Sequence, residues 1–575
     1  MFARRNALAR RRATHRQPSQ RPPLSRPTGM EALEGRVLLA GNVVTTPTGT
    51  PNSPGEPAPF LEVAGDQFDN EIMVKKGTAP GEIIVNGLNG TLVNGSTQEW
   101  HFNGVQALGV LMNGGNDKVD VRNLTLSGEP DENGFATAQV VVDGGAGDDS
   151  ITLFNTTINA SAPPPDVLFF PSSSVGVLLF GETSAVGDPS GTGNDFIEVS
   201  NTTIIADGGE MSGSSLQIYG DDNNNGGTIT GGNDHINVSN TVIRATNTSF
   251  ASSATAAVVI YGDNNSADDF GPTPTTSVIG EGNDWINVNK TDIIADSDQG
   301  SGTVFVQVFG DNNTAFGTGT ATIGNFAAKT GGNDTISLTN TTVSAIGSNF
   351  SNNSVVVDVR GDQTFSQLGV ADVGGGNDTI SITNFAASAS GTNSTNETDL
   401  HVFGDGDVTA TLNVSSRVGV GNDVISMTND DIFAAGNPNN IATVLFNSDD
   451  QNQQGEAGTI VGQGDDSVDI FNFLLRASTS SNMQLQTQRG RDIVDIHNVR
   501  FGGMGIDTGG GNDDLTILNS RWGNGNFSLR EGNDLLKMNG NSFVFTSADG
   551  GPGIDTLAAH NNSGVFLPTN FEIFT

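Results

Sequence analysis

Apolar residues recur in pairs along most of this chain, two and four residues after an aspartate. One residue separates the members of each pair and many members are β-branched, so each pair predicts a short β-strand with one buried face. The first members are Val119, Ile151, Ile197, Ile236, Ile286, Ile336, Ile380, Ile425, Val468, Val494, Leu515, Leu536 and Leu557. The second members are Val121, Leu153, Val199, Val238, Val288, Leu338, Ile382, Met427, Ile470, Ile496, Ile517, Met538 and Ala559. A further apolar residue nine positions after the aspartate, in twelve of thirteen units, predicts a second buried strand.

Each of these strands is preceded by a corner motif, a glycine followed two residues later by the aspartate, and nine of the thirteen copies read Gly-Asn-Asp. Successive corner aspartates are 21 residues apart from Asp492 to Asp555 and 39 to 50 residues apart from Asp195 to Asp466. A repeat with this period is typical of a solenoid, in which each repeat stacks on the next. We therefore predict an all-β fold, a single-stranded parallel β-helix of about thirteen turns, right-handed, with neighbouring strands about 4.8 Å apart.

Asparagine follows the first strand, six residues after the corner aspartate, in eleven of the thirteen units; Lys290 and Gly540 are the exceptions. Stacked side-chain amides can hydrogen-bond from turn to turn, so this asparagine column supports the coil. Asn155, Asn201 and Asn340 also begin Asn-Thr-Thr sequences that fit N-glycosylation. The amide ladder accounts equally for the asparagines outside such sequences and is the favoured interpretation.

The longer units contain extra residues rich in Gly, Asn, Thr and Ser, inserted after a second marker. This marker is an aromatic residue, or once an arginine, followed by glycine and an acid: Phe180-Gly181-Glu182, Tyr219-Gly220-Asp221, Tyr261-Gly262-Asp263, Phe309-Gly310-Asp311, Arg360-Gly361-Asp362 and Phe403-Gly404-Asp405. We interpret the 21-residue unit as one bare turn and expect the insertions to protrude as loops from one edge. Arg360-Gly361-Asp362 matches an integrin-binding tripeptide, but its place in this column favours a repeat position.

Two regions differ in composition and charge. Residues 1–59 are rich in Arg, Pro, Ser and Thr and are expected to be a disordered leader, whereas residues 60–575 carry the solenoid. Within the solenoid, residues 60–110 are expected to form the opening turns, and residues 560–575 a cap in which apolar side chains cover the last turn. Outside residues 1–40 the net charge is about −46, which disfavours nucleic acid and attracts cations. There is no cysteine for disulfides or thiolate metal sites, and no transmembrane segment is expected.

Residues 30–39 suggest export. In this segment Leu33, Glu34, Arg36, Leu38 and Leu39 match the LEPR-XLL leader found near the start of large surface proteins of planctomycete-type bacteria. Gly35 stands where that motif has proline. The segment resembles this leader, and the resemblance implies a bacterial protein located extracellularly or at the cell surface.

Two corners have a fuller glycine pattern than the others. Residues 144–151 and 550–557 resemble the hemolysin-type (RTX) repeat, G-G-x-G-x-D-x-U, whereas most other units match only its second half. That resemblance implies Ca²⁺ held between turns by glycine carbonyls and the aspartate carboxylate. The predicted metal ligands are Asp149 and Asp555 foremost, then Asp117, Asp195, Asp234, Asp284, Asp334, Asp378, Asp423, Asp466, Asp513 and Asp534. The nine-residue tandem of that family is missing, so the coil is a different solenoid.

The corner column has two physical interpretations. Carboxylates stacked about 4.8 Å apart repel each other by roughly 1 kcal/mol in water and about 3–4 kcal/mol at an effective dielectric near 20, so a bridging cation is favourable. Ca²⁺ accepts six to eight oxygen ligands of the kinds found at these corners. Alternatively, glycine supplies a positive-φ corner and Asn-Asp caps the turn locally, without any ion.

Three functions are compatible with this sequence. The first, which we favour, is a non-enzymatic exported surface or extracellular-matrix protein with a structural or adhesive role, contacting extracellular polysaccharide or cell-envelope components. The second is a pectate-lyase-like polysaccharide-active enzyme, which needs a basic residue in a groove beside aspartates; only Arg489, Arg491 and Arg500 cluster in sequence. The third is an RTX-like secreted effector or protease carrier, for which the chain shows no catalytic motif.

Overall fold

The structure is a computed structural model of the 575-residue chain. It describes residues 41–48, 60–79, 81–163, 171–184, 193–224, 228–229, 231–269, 276–279, 282–317, 320–323, 332–348, 352–366, 371–373, 376–392, 395–405, 417–418, 421–435, 439–449, 460–461 and 464–575. All of them belong to one compact unit, residues 40–575. The export motif at residues 30–39 lies outside the described residues. The described residues contain no helix that is long and apolar enough to cross a membrane.

The predicted parallel β-helix is confirmed. Every corner motif is followed by a strand that pairs in parallel with its counterpart one turn later, and these strands form the first sheet. The strands of the first sheet are Glu71–Lys76, Lys118–Arg122, Ser150–Phe154, Phe196–Ser200, His235–Ser239, Trp285–Asn289, Thr335–Thr339, Thr379–Thr383, Val424–Thr428, Ser467–Phe471, Ile493–His497, Asp514–Leu518, Leu535–Asn539, Thr556–His560 and Ile573–Phe574, together with the antiparallel strands Glu82–Gly87 and Trp100–Asn103.

The rest of each turn belongs to a second parallel sheet, which holds the strand after the asparagine and the strand before the next corner. Its strands are Asn42–Thr48, Phe60–Ala64, Leu92–Val93, Ala107–Leu111, Thr125–Gly128, Phe135–Asp143, Thr157–Ser161, Ser172–Ser184, Thr203–Asp207, Met211–Asn224, Val242–Asp269, Asp292–Gly317, Thr342–Ser348, Asn352–Ser366, Ala386–Thr392, Thr395–Asp405, Asp431–Ala435, Asn439–Asp449, Leu474–Ala477, Ser480–Gln486, Gly503–Asp507, Arg521–Ser528, Ser542–Asp549 and Ser563–Thr569.

The apolar columns predicted from the sequence form the core. Ile236 pairs in register with Ile286, and Val238 with Val288, and all four side chains are buried. The column nine residues after the corner aspartate is buried in the same way, for example at Ile243. Because successive residues of a strand point to opposite faces, this register places one continuous apolar stack inside the coil.

The asparagine column turns the chain between the two sheets. All eleven of its asparagines, and Lys290 and Gly540 in the same column, have φ between +48° and +71°, the left-handed region that asparagine and glycine tolerate best. The predicted amide ladder is present at four steps, for example Asn472 Nδ2 donating to Asn429 Oδ1 at 2.9 Å. Backbone conformation therefore explains this column at every turn, and the amide bonds add to it at some.

The first turn is only partly as predicted. Phe60–Ala64 and Glu71–Lys76 pair in parallel with the following turn, as expected of opening turns. Their outer edges, however, are covered by antiparallel pairing rather than by another turn of the coil; the covering strands are Asn42–Thr48 and Glu82–Gly87, with Trp100–Asn103 paired to the latter. Covering an edge in this way prevents uncontrolled strand addition. Asn42–Thr48 falls within the predicted disordered leader, so that prediction is wrong for these residues.

The last turn also departs from the prediction. Ser563–Thr569 and Ile573–Phe574 continue the coil as parallel strands, and Phe566 and Phe571 pack against the core. Four other apolar side chains of this segment are 43 to 65% exposed: Val565, Leu567, Ile573 and Phe574. Val565 and Leu567 alternate with Phe566 and therefore face outward. Ile573 and Phe574 are neighbours in the last strand, and both stay exposed although Phe574 continues the column of buried Leu557. The predicted cap is therefore correct for two phenylalanines and wrong for the other four residues.

The insertions are more regular than the predicted loops. Beyond the ends of the second-sheet strands, their described parts form a third, six-stranded parallel sheet, here called the insertion sheet. Its strands are Thr228–Ile229, Thr276–Ile279, Thr320–Ile323, Ala371–Val373, Arg417–Val418 and Ile460–Val461. The insertions of successive turns thus stack on one another as the core strands do.

Candidate metal centre

The corner aspartates are joined by a hydrogen-bond ladder. The backbone N–H of each one donates to carboxylate Oδ1 of the corner aspartate one turn later, at 2.6 to 3.0 Å. The ladder runs from Asp117 to Asp555, whose own N–H donates to Glu572 Oε2 at 2.8 Å. Each carboxylate therefore caps the neighbouring turn. The ion-free interpretation had expected each one to cap its own turn. All twelve predicted metal ligands lie in this one buried column.

A second column of acids lies beside the first and consists of the acids of the aromatic-Gly-acid marker. Its members are Glu182, Asp221, Asp263, Asp311, Asp362 and Asp405, each at most 5% exposed. Successive members pair in register, as Asp263 does with Asp311. The sequence analysis used this marker only to locate insertions and missed its acids as candidate ligands. The sequence did contain a signal, because an acid recurs at this register position in turns with insertions and is missing from the same position in bare turns.

Among the side chains that the structure describes, the two columns meet in four groups of three carboxylates. Each group combines one corner aspartate with two successive members of the second column, and one carboxylate oxygen of each residue lies within 4.8 Å of the other two. The groups are Asp221–Asp234–Asp263, Asp263–Asp284–Asp311, Asp311–Asp334–Asp362 and Asp362–Asp378–Asp405. Asp263, Asp311 and Asp362 each belong to two groups, so the four groups form one continuous line along the coil.

These groups contain carboxylate oxygens that no donor reaches. Oδ2 is buried without a hydrogen bond in Asp234, Asp284, Asp334 and Asp378, and so are both carboxylate oxygens of Asp311. An ionised carboxylate without water or donors is strongly unfavourable unless a cation compensates it.

Burial shifts the ionisation of the groups. It raises the pKa of Asp263 to about 6 and that of Asp362 to about 7. Burial and the adjacent carboxylates hold the pKa of Asp284 and Asp334 well above the usual range. Near neutral pH these clustered charges must be neutralised by protons or balanced by a bound cation.

The donor set fits a hard divalent cation. Every candidate ligand atom is a carboxylate oxygen, and no histidine takes part in the groups. Ca²⁺ prefers six to eight oxygen ligands in flexible geometry, Mg²⁺ requires a near-ideal octahedron, and softer metals favour nitrogen or sulfur. The residues present therefore suit Ca²⁺ better than zinc or copper.

The predicted ligands fall into two sets. Four of them enter the three-carboxylate groups: Asp234, Asp284, Asp334 and Asp378. Asp149 and Asp555, which the sequence had placed first, lie in the column but in none of the four groups. Their fuller glycine patterns belong to tight corners, since Gly145, Gly147 and Gly551 have φ of +88°, +137° and +87°. The complete pattern therefore reports a backbone requirement of bare turns, whereas the densest acid clusters lie in turns with insertions.

Close approach of the backbone of the preceding turn explains why most corners require glycine. A Cβ on Gly282 would overlap the carbonyl oxygen of Gly232 in the preceding turn, and the same overlap recurs along the column. Only Gly115, Gly147 and Gly490 among the thirteen corner glycines have φ in the left-handed region. The expectation of a positive-φ corner is therefore wrong for the other ten, where the neighbouring backbone leaves no room for a side chain.

Arg360-Gly361-Asp362 is a repeat position, as the sequence favoured. The Arg360 guanidinium donates to both carboxylate oxygens of Asp358 at 2.8 Å and lies 4.5 Å from the ring centre of Phe403. Asp362 is 4% exposed. A receptor would therefore find neither charged end of the tripeptide free.

A groove of about 400 Å³ combines basic and acidic side chains on the second sheet. It is lined by Ile205, Asp207, Arg244, Thr246, Asn247, Asp296 and Asp298. Arg244 Nη2 lies 3.4 Å from Asp296 Oδ2, so its guanidinium is ion-paired within the groove. The groove thus presents charges of both signs to a polar ligand.

Comparison of the sequence with protein-family models, curated proteins and solved structures finds no match to any of them.

Proposed function

We propose that this protein is a non-enzymatic structural or adhesive solenoid, exported to the bacterial surface or the extracellular matrix, whose fold is stabilised by bound Ca²⁺. The observation that carries the proposal is the line of four buried three-carboxylate groups along the coil. These groups contain nine aspartates in all. Four divalent cations would supply eight positive charges against nine negative ones, so one ion per group nearly neutralises the line.

The stabilisation depends on the Ca²⁺ concentration around the exported protein. A ligand that binds only the folded state stabilises it by RT ln(1 + [L]/Kd), about 2.7 kcal/mol at one hundred times Kd. The leader resemblance and the acidic surface support an extracellular location. The stacked insertions are the surface on which we place contacts with polysaccharide or cell-envelope components.

We expect metal-stripped protein to bind about four Ca²⁺ per chain, measured by equilibrium dialysis and elemental analysis. The melting temperature should rise with millimolar Ca²⁺ at fixed ionic strength, and more than with Mg²⁺, because three carboxylates offer Ca²⁺ a less constrained site. Identical melting of stripped and calcium-loaded protein would overturn the proposal.

A triple variant tests the ligands directly. Asp263→Asn, Asp311→Asn and Asp362→Asn together remove the shared member of every group, so calcium binding should be lost. In chelator near pH 8 this variant should be at least as stable as the unaltered chain, because buried repulsion is removed. The matched control, Asp492→Asn with Asp513→Asn and Asp534→Asn in bare turns, should still bind its ions.

The groove around Arg244 keeps one alternative open, a polysaccharide-active enzyme. Acidic side chains beside an arginine could bind a uronate polymer through bridging cations. Because Arg244 is paired with Asp296, we expect binding without cleavage. Incubation with polygalacturonate and alginate should therefore yield no unsaturated product by ultraviolet absorbance, and product formation that Arg244→Ala abolishes would establish the enzyme.

A further inference from the structure

The acid of the second column occurs in turns that carry an insertion. Asp449 pairs in register with Asp405, which extends the column to a seventh insertion-bearing turn. In bare turns the same register position holds a residue without a carboxylate: Asn113, Gly145, Gln488, Gly509, Arg530 and Gly551. The acid thus accompanies the insertion and not the coil as such.

Five of these acids, Glu182, Asp221, Asp263, Asp362 and Asp405, also close the base of their insertion. One carboxylate oxygen accepts a hydrogen bond from the backbone N–H of the corner glycine at the other end of the same insertion, at 2.8 to 3.2 Å. These contacts join residues 11 to 19 positions apart, for example Asp221 and Gly232 or Asp263 and Gly282. We call this pair, an acid and a corner glycine, the neck of the insertion.

In three of these acids the second oxygen of the same carboxylate has no hydrogen-bond donor and would be available to an ion. Oδ1 of Asp221, Asp263 and Asp362 is buried without a hydrogen-bond donor, and each atom belongs to a residue of a three-carboxylate group. The corner aspartate of the group follows the neck glycine by two residues, as Asp234 follows Gly232. Each group therefore contains both chain ends of an insertion, held to the acid of the adjacent turn.

We infer that Ca²⁺ bound at the necks controls the insertion sheet, so that the outer surface of this protein is set by the calcium concentration while the apolar coil persists without the ion. The inference rests on the proposed calcium binding. Without a cation, nothing bridges the donor-free oxygens of the three carboxyls, and the two chain ends can separate to expose these oxygens to water. With the cation, the ends are held and the insertion strands stay in register. The bare turns have no neck and should not respond.

Hydrogen exchange of the full chain, with and without calcium, tests this inference. Near pH 8, calcium should slow amide exchange by about tenfold or more in Thr276–Ile279 and Ala371–Val373 of the insertion sheet, whose insertions both have a neck. Exchange in Trp285–Asn289 and Leu535–Asn539 of the first sheet should change little. Asp263→Asn, at a neck residue, should abolish the calcium effect in Thr276–Ile279, and the matched bare-turn variant Asp513→Asn should leave it intact.

The outcomes separate the two proposals. If calcium binds and raises the melting temperature but slows exchange uniformly along the coil, the neck inference is wrong and the proposed function stands. The same holds if calcium binds and the insertion strands exchange unchanged. If no calcium binds, both are wrong.

Discussion

Metal-free protein is expected to lose stability as the pH rises from about 4 to about 9, and calcium is expected to reverse the part of that loss that comes from the three-carboxylate groups. Burial raises the pKa of Asp117 to about 7, of Asp149 to about 8 and of Asp195 to about 9. The folded state therefore holds protons that the unfolded chain has already released near pH 4. A carboxyl of this kind contributes stability at low pH and loses about 1.4 kcal/mol per pH unit between its two pKa values.

Calcium changes this dependence because it replaces protons in the three-carboxylate groups. Deprotonation then strengthens ion binding and offsets the cost of the buried charges. The measurement is urea unfolding at about pH 5 and about pH 8, after metal removal by dialysis and again with millimolar Ca²⁺. We expect a metal-free loss on the order of several kcal/mol across this interval and a smaller loss with calcium, because the carboxyls outside the groups still lose their protons. Metal-free protein that is more stable at the higher pH would contradict the assignment of these carboxyls.

The coil itself could be predicted from sequence because its determinants are local. The residues two and four positions after each corner aspartate alternate with outward-facing positions, and the six-position asparagine must adopt a left-handed conformation. Each requirement involves only a few neighbouring residues, and the same requirements are repeated in thirteen units, which makes the pattern easy to recognise. Ile236 and Val238 are buried where this pattern placed them.

The metal groups could not be predicted in the same way, because they depend on contacts between distant residues. Asp311 and Asp334 stand on opposite sides of an insertion, and Asp362 comes from the next turn. Only the register of the stacked turns shows that all three meet. Sequence alone gave most weight to Asp149 and Asp555, where glycine density reflects a tight backbone corner.

The structure of the first and last turns could not be predicted from local sequence either. The apolar residues near Val565 predicted a cap by composition, yet in-register pairing turns alternate side chains outward. The antiparallel cover of the first turn uses Asn42–Thr48, a segment whose polar composition suggested a leader. In both cases pairing with a neighbouring strand, and not intrinsic preference, decided the outcome.

The corner glycines are expected to be the positions least tolerant of substitution. In Gly532→Ala the new methyl group would overlap the carbonyl oxygen of Gly511 in the preceding turn. This neighbour is backbone, paired within the stack, and cannot rotate away as a side chain could. We expect a loss of about 3 kcal/mol or more in the free energy of unfolding, measured by urea denaturation.

Gly505→Ala is the matched control, because its Cβ would lie 3.9 Å from its nearest neighbour, Gln484 Cγ. It should be neutral or slightly stabilising, since alanine restricts the unfolded chain more than glycine does. Gly532 lies in a bare turn, so its loss should be the same with and without calcium. Equal stability of the two variants would show that the stack can relax around a methyl group. The overlap at Gly532 involves only backbone atoms and does not depend on an ion. A loss at Gly532 that changes with calcium would therefore mean that the corners of bare turns also bind the ion.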